Sequence, residues 1–324
     1  MPEGVPQGVF KTSDRCSIAF RLRAAPNDRA PRIVLIHSLA LDGSIWDGVA
    51  ARLADQASIL TYDCRGHGKS DWRAESFTTE LFARDLAELF DHVGWATATV
   101  AGCSMGGCVA QAFAGLYPSR VSALGLIDTT AWYGEDAPKN WRERAETARS
   151  KGLKGMVEFQ ATRWFGDRFR TAHPELVKAM AEIFLVNDVE CYAASCIMLG
   201  EADLRHYLPA LRMPVAVIVG EEDYATPVAM AQQLHEAIRG STLAILPGGR
   251  HLTPIEWPDQ IASQLATTAR HCSWFMRALS RARIPEECDC LTRATWPVLV
   301  RRTTVRRIGP SFLLPSEPLC RIRM

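Results

Sequence analysis

The 324-residue chain lacks a long apolar run, and no segment approaches the ~18 consecutive apolar residues of a membrane span. Its first residues, MPEGVPQGVF, lack a basic stretch followed by an apolar one, so no secretory signal is expected. It lacks an excess of charge: 37 Lys and Arg face 36 Asp and Glu, a formal +1, which excludes a general attraction to nucleic acid or anionic membrane. Ten cysteines are present, yet no CxxC pair occurs and no Cys/His group has zinc-ligand spacing. Cysteines of this kind pack as small hydrophobes in a reducing compartment, so a cytoplasmic location is expected. Internal repeats are absent as well.

Hydrophobic residues make up 48% of the chain, enough for one large core. From His271 to Met324 the composition shifts: ten Arg, no Lys and four acidic residues give this segment +6, leaving the body mildly acidic. No periodic element stands out there except a short strand-like TWPVLVRR. The segment 271–324 is read as a basic, irregular tail without a selected fold. A flexible extension and a partner-binding element are the alternatives.

Upstream, the pattern alternates. VFKTSDRCSIAFRLRA turns at Ser13-Asp14 and reads as a hairpin. RIVLIHS is a continuous β-rich run, as a strand buried on both faces requires. SIWDGVAARLA reads as a helix capped by Ser44, SILTYDC as a strand, and TTELFARDLAELFDHVG as a helix stopped by Gly94. Strand ATVAGC, helix MGGCVAQAFAGLY and strand VSALGLID follow. From Thr129 to about Tyr207 the chain turns helical, with no clear buried strand. Strand–helix alternation then resumes with PVAVIVG, VAMAQQLHEAI, STLAILP and PDQIASQLATTA. Repeated β-α-β units predict an α/β fold with a mostly parallel central sheet and helices on both faces. The core is assigned to residues 1–130 and 208–270, with 131–207 inserted as a helical cap.

Gly102-Cys103-Ser104-Met105-Gly106 matches the G-x-S-x-G nucleophile elbow and sits where that turn must sit, between a buried strand and a helix. The pattern alone is weak; its strand–turn–helix context is what carries the assignment. Cys103 and Cys108 flank a serine that is the poorer intrinsic nucleophile, but position favours Ser104, at the tip of the turn. Serine needs a base, and in such sheets the order is Ser, acid, His. Beyond the strand VAVIVG stand Glu221, Glu222 and Asp223, of which Asp223 is chosen as the acid. Beyond LAILP, after Gly248-Gly249, stands His251. Both lie at carboxyl ends of strands, where these sheets place their sites. The oxyanion donors are assigned to the backbone N–H groups of Met105 and Leu39.

Other residues receive plainer readings. His67 holds a loop and Asp63 braces it. His92, His173, His206 and His235 are structural or solvated. Met180, Met198, Met213 and Met230 fill the core. Glu222 is a solvated neighbour of the acid.

The motifs HSLALDGSIWD, YDCRGHGKSD, GCSMGGCVAQ, GEEDYATP and RHLTPIEWP resemble those of α/β-hydrolases, most closely the 3-oxoadipate enol-lactonases. The cap segments NWRERAETARSKGL, TRWFGDRFR and YAASCIMLGEADL are similar to enol-lactonase caps. The resemblance spans roughly residues 8–268 and leaves out the tail. It implies the α/β-hydrolase fold and hydrolysis of a small five-membered enol-lactone bearing an acetate side chain. The substrate carboxylate needs a cation in an otherwise apolar pocket. By resemblance, Trp141 and Arg144 line that pocket together with Ser38. The bland reading of Arg144 is a surface arginine in a charged helix. No cofactor and no metal is expected, and the partner is a small ester or lactone. A homo-oligomer stays open. A general carboxylesterase, a haloperoxidase-like perhydrolase and a ligand-binding protein of the same fold are the rival readings.

Overall fold

The computed structural model describes residues 7–72 and 76–281. The chain opens with β1 (Gln7–Lys11) and β2 (Ser17–Arg23), then β3 (Arg32–Ile36), α1 (Asp47–Leu53), β4 (Ser58–Tyr62) and α2 (Thr79–His92). There follow β5 (Ala98–Cys103), α3 (Met105–Leu116) and β6 (Val121–Ile127). Five helices come next: α4 (Ala137–Lys151), α5 (Val157–Trp164), α6 (Asp167–Ala172), α7 (Pro174–Leu185) and α8 (Val189–Glu201). The chain then makes β7 (Val215–Gly220), α9 (Val228–Ala237), β8 (Thr242–Leu246), α10 (Thr253–Glu256) and α11 (Pro258–Arg281).

The eight strands form one sheet in the order β1-β2-β4-β3-β5-β6-β7-β8. The β1–β2 and β2–β4 pairs are antiparallel and the remaining five pairs parallel. Strands β5 and β7, each paired on both sides, are buried at every position, so their sequences are continuously apolar rather than alternating. Helices α1 and α11 pack together on one face, with α11 lying on β6 and β7. On the other, α2 packs on α3, which lies on β5 and β6, while α9 lies on β7 and β8. This is the mostly parallel, doubly covered sheet that the element order predicts, and the carboxyl ends of β3, β5, β6, β7 and β8 converge at one edge.

Helices α4 to α8 occupy the interval between β6 and β7, with α4 packed along α8. A single bridge between Trp132 and Asp203, with Leu204 N–H donating to Ala131 O at 2.9 Å, closes the base of this insertion. Among the described residues, no single helix is long and apolar enough to cross a membrane.

Two local expectations need correction. Ser44 does not cap α1. It lies within a 3₁₀ turn, Gly43–Trp46, whose cap is Asp42, accepting from Ser44 N–H at 2.9 Å. Nor does the chain become irregular at residue 271, because α11 continues to Arg281. Nothing in that stretch breaks a helix, since no Pro or Gly occurs between Arg270 and Pro285. The rest of the basic tail, including Cys288, Cys290 and TWPVLVRR, lies outside the described residues, as do the first six residues.

Candidate active site

The turn after β5 carries Ser104 at φ 55°, ψ −116°, a backbone conformation costly for any residue with a Cβ and typical of strained functional positions. The surrounding glycines follow from sterics. A Cβ on Gly102 would lie 2.0 Å from Gly106 O, and one on Gly106 would lie 2.3 Å from Ile36 O. Strand and helix thus approach backbone to backbone, which forces the Ser104 side chain out at the tip. Ser104 O is held by Thr129 Oγ1 (2.7 Å) and Ser104 N–H donates to Ile127 O (2.9 Å), so the turn is clamped to the end of β6.

The structure brings Ser104, His251 and Asp223 into one hydrogen-bonded line. His251 Nε2 is 2.9 Å from Ser104 Oγ, and His251 Nδ1 is 2.8 Å from Asp223 Oδ2. All three are buried. Asp223 accepts further from Ala225 N–H (2.7 Å), Thr226 N–H (3.0 Å) and Thr226 Oγ1 (2.7 Å). Burial pushes its carboxyl up, but His251 and these donors outweigh it and hold the group below the ordinary carboxylate range. An ionised Asp223 fixes the Nδ1–H tautomer of His251 and leaves Nε2 to accept the proton of Ser104.

Asp128, at φ 46° just past β6, joins the two loops that carry acid and base. It accepts from Gly220 N–H (3.0 Å) at the end of β7, and from Thr253 N–H (3.0 Å) and Thr253 Oγ1 (2.6 Å) just after His251. Neither Asp128 nor Thr226 is singled out by the sequence. Only the position of Thr226, three residues after an acid in a loop, hints at such a bond.

The loop after β3 is set by His37. Cys64 N–H donates to His37 Nε2 (2.7 Å), so Nδ1 carries the proton and donates to Ser38 O (2.7 Å). Burial lowers the His37 pKa, in keeping with a neutral ring. Asn187, between α7 and α8, donates to Ala40 O (2.8 Å) and ties this loop to the cap. Leu39 borders the cavity at Ser104, and the Met105 N–H opens α3, where first-turn amides have no partner within the helix. Leu39 and Met105, the residues expected to supply the oxyanion donors, thus lie next to Ser104 in the cavity wall and in the chain respectively.

His67 and Asp63 brace the neighbouring loop. Asp63 accepts from Gly43 N–H and Lys69 N–H, both at 2.9 Å, while the His67 ring packs tilted against that of His37 with centroids 5.1 Å apart. Burial takes the His67 pKa down to about 3, so it stays neutral. Glu222 forms an ion pair with Arg250 at 3.2 Å. Cys103 and Cys108 are buried, and burial raises both thiols, Cys108 to about 11. Neither is poised as a thiolate nucleophile at neutral pH.

Above Ser104 lies a narrow cavity of about 20 Å³ bordered by Ser38, Leu39, Thr226 and His251 from the core. From the cap come Trp141, Arg144, Gln160, Arg163 and Trp164, with Tyr133 at its base. Three larger depressions, one beside β1, one between α6 and the Trp257 loop and one between Trp72 and Asn187, do not border Ser104. The Arg144 guanidinium stacks on Trp141 (5.2 Å) and Tyr192 (5.8 Å), and its Nε donates to Tyr192 Oη at 2.7 Å. Trp141 in turn packs edge-on to Tyr133, with centroids 5.2 Å apart. Trp141, Arg144 and Ser38 all reach the cavity. Sequence reasoning missed Arg163, Gln160 and Trp164. Among the described residues, no group of His, Cys, Asp and Glu could hold a metal ion.

A parallel sheet with helices on both faces, a serine on a strained turn after a central strand, and a helical insertion over it define an α/β hydrolase. A family model described as alpha/beta hydrolase fold matches residues 31–258, and the chain belongs to that family. Over 229 residues it is 34% identical to 3-oxoadipate enol-lactonase 2 of Acinetobacter baylyi, covering 71% of this chain and 85% of that one. The crystal structure of the enol-lactonase from Burkholderia xenovorans LB400 superposes with a TM-score of 0.77 at 30% identity, covering 81% of this chain and 100% of that one. A thermophilic esterase from Thermogutta terrifontis, solved with malate bound, gives 0.75 at 28% identity, covering 83% and 99%.

Proposed function

We propose that this protein hydrolyses a small carboxylic ester or lactone bearing a carboxylate, 3-oxoadipate enol-lactone or a close analogue, through an acyl-enzyme on Ser104. The observation that carries the reading is the Ser104–His251–Asp223 line opening onto a cavity that also holds Arg144. The enol-lactonase relatives support it.

In this reading Ser104 Oγ attacks the lactone carbonyl carbon as its proton passes to His251 Nε2. Asp223 stabilises the imidazolium. The Leu39 and Met105 N–H groups receive the oxyanion, each worth about 3 kcal/mol in the transition state. Collapse breaks the ring C–O bond, and His251 returns the proton to the enol oxygen, which stays tethered to the acyl group. Water then gives a proton to His251 and adds its oxygen to the acyl carbon. Ser104 leaves with that proton, and the product is an acid.

Arg144 answers the substrate carboxylate, and its contacts with the Trp141 and Tyr192 rings restrict the orientation of the planar guanidinium. The test is substrate-resolved: Arg144→Met should lower kcat/KM for the enol-lactone by about 100-fold, the loss of a charge-assisted pair. It should change p-nitrophenyl acetate hydrolysis far less. Equal losses on both would reject the carboxylate role.

A further inference from the structure

Gln160 sits in the wall of the catalytic cavity with half of its amide unused. The residue is 2% exposed, its Nε2 donates to Tyr192 Oη at 3.4 Å, and its Oε1 has no hydrogen-bond partner among the described residues. A buried carbonyl oxygen left without a donor destabilises a fold, so one kept beside a nucleophile points to a ligand that brings the donor.

The cap holds Gln160 in register with His251. It lies four residues before Trp164 on α5, hence on the same face of the helix, and both border the cavity. The Trp164 carbonyl oxygen accepts from His251 N–H (3.1 Å) and Leu252 N–H (3.0 Å), which fastens that stretch of α5 to the loop carrying the imidazole.

The chemistry of the wall narrows the ligand. The side chains of Arg144, Arg163, Trp141 and Trp164 only donate, and the hydroxyls of the wall either donate or accept. With Nδ1–H turned to Asp223, His251 Nε2 only accepts, and so does Gln160 Oε1. Two such acceptors call for a molecule with two protons to give. The reacting end of an ester or lactone has none, since its carbonyl and bridging oxygens are acceptors. Water has two, and a cavity of about 20 Å³ is the size of one water molecule.

We propose that Gln160 positions the water of the second step. The water hydrogen-bonds to Oε1 through one O–H, which stays intact, while its other O–H breaks and that proton passes to His251 Nε2. The water oxygen forms the new bond to the acyl carbon. The tetrahedral adduct then breaks its bond to Ser104 Oγ, which takes the proton back from His251, and the acid is released. Gln160 thus acts on deacylation and not on acylation. This rests on the hydrolase reading above, since without an acyl-enzyme there is no second step.

The test uses p-nitrophenyl acetate, whose leaving group departs before water attacks. Stopped-flow release of p-nitrophenolate reads acylation, and intact-mass spectrometry of quenched samples reads decay of the acetyl-enzyme. Gln160→Met should leave acylation within about 2-fold and slow decay by about 10-fold, the worth of one hydrogen bond. Methanol has a single O–H proton, which His251 takes, and so nothing to give Gln160. With methanol added, Gln160→Met should therefore raise the ratio of methyl acetate to acetate by about 10-fold. Gln160→Leu, a second apolar variant, should do the same. Gln160→Glu, which keeps an acceptor oxygen, should retain the wild-type ratio. The thermal midpoint of Gln160→Met should match or exceed that of wild type, because an unpartnered buried oxygen is gone.

Equal slowing of both steps overturns the proposal, as does a product ratio that neither apolar variant changes or that Gln160→Glu changes as much as they do. Slowing of the lactone alone, with p-nitrophenyl acetate untouched, would put the enol hydroxyl on Gln160 and overturns it too. If wild type forms no acetyl-enzyme and hydrolyses no ester or lactone, the hydrolase reading fails and this inference with it. If wild type turns over through the acetyl-enzyme and the variants match it, this inference alone fails.

Discussion

The main-chain N–H of His251 donates to the carbonyl oxygen of Trp164 at 3.1 Å, so the histidine proposed as general base is held by the last residue of a cap helix. The cap is therefore more than a lid over the substrate; it forms part of the frame that aims the imidazole at Ser104. Arg250 reinforces the joint by donating to Thr162 O (2.8 Å) and Phe165 O (3.2 Å).

Arg250→Ala should therefore lower kcat for neutral and anionic substrates alike, by about 10-fold or more, because a small misplacement of the base costs that much. Steady-state kinetics on p-nitrophenyl acetate and on the enol-lactone check it. A loss confined to KM of the anionic substrate would mean that Arg250 acts on substrate charge and not on His251.

Glu256 accepts from Arg250 N–H (2.6 Å) and Gly166 N–H (2.7 Å) at the same joint, yet burial lifts its carboxyl from 4.5 to about 7. The folded state thus holds this proton more tightly than the unfolded chain. The associated stability is fully present below about pH 4.5 and is lost as pH rises through 7, on the order of 3 kcal/mol in all. Thermal midpoints of wild type and Glu256→Gln across that window should diverge, wild type alone showing the decline. Parallel curves would contradict the assignment.

The elbow glycines make a sharper steric prediction. Gly102→Ala would set a Cβ against the backbone of Gly106 at 2.0 Å, and should cost more than about 3 kcal/mol or abolish folding. Gly248→Ala, at φ +65° with open space around it, should cost only about 1–2 kcal/mol of backbone strain. Urea unfolding of the two variants reads the difference, and equal losses would show that the strand–helix approach is not as tight as described.

What was legible in the sequence follows a physical divide. Strand β5 is buried on both faces and therefore reads as an unbroken apolar run, and Gly102 and Gly106 announce a close backbone approach, so Ser104 could be placed without a structure. Asp223 and His251 follow from being just past strand ends. Arg163 was not legible, because a cavity-facing arginine and a solvated one look alike inside TRWFGDRFR, and only the folding of α5 onto the His251 loop tells them apart. Asp128 was hidden for a related reason: its partners Gly220 and Thr253 lie 92 and 125 residues away in sequence. The cap on the 3₁₀ turn before α1 was misplaced because Asp42 and Ser44 are both good capping residues, two positions apart, and side-chain geometry decides between them.

The most direct measurement is kcat/KM for 3-oxoadipate enol-lactone set against p-nitrophenyl esters of rising chain length, in wild-type and Ser104→Ala protein. Wild type should favour the lactone by at least about 100-fold over any neutral ester, the worth of a buried carboxylate–guanidinium contact. Ser104→Ala should lose at least about 10⁴-fold on every substrate while keeping its thermal midpoint. Neutral esters turned over as well as the lactone, or a Ser104→Ala protein that keeps its activity, would contradict the account.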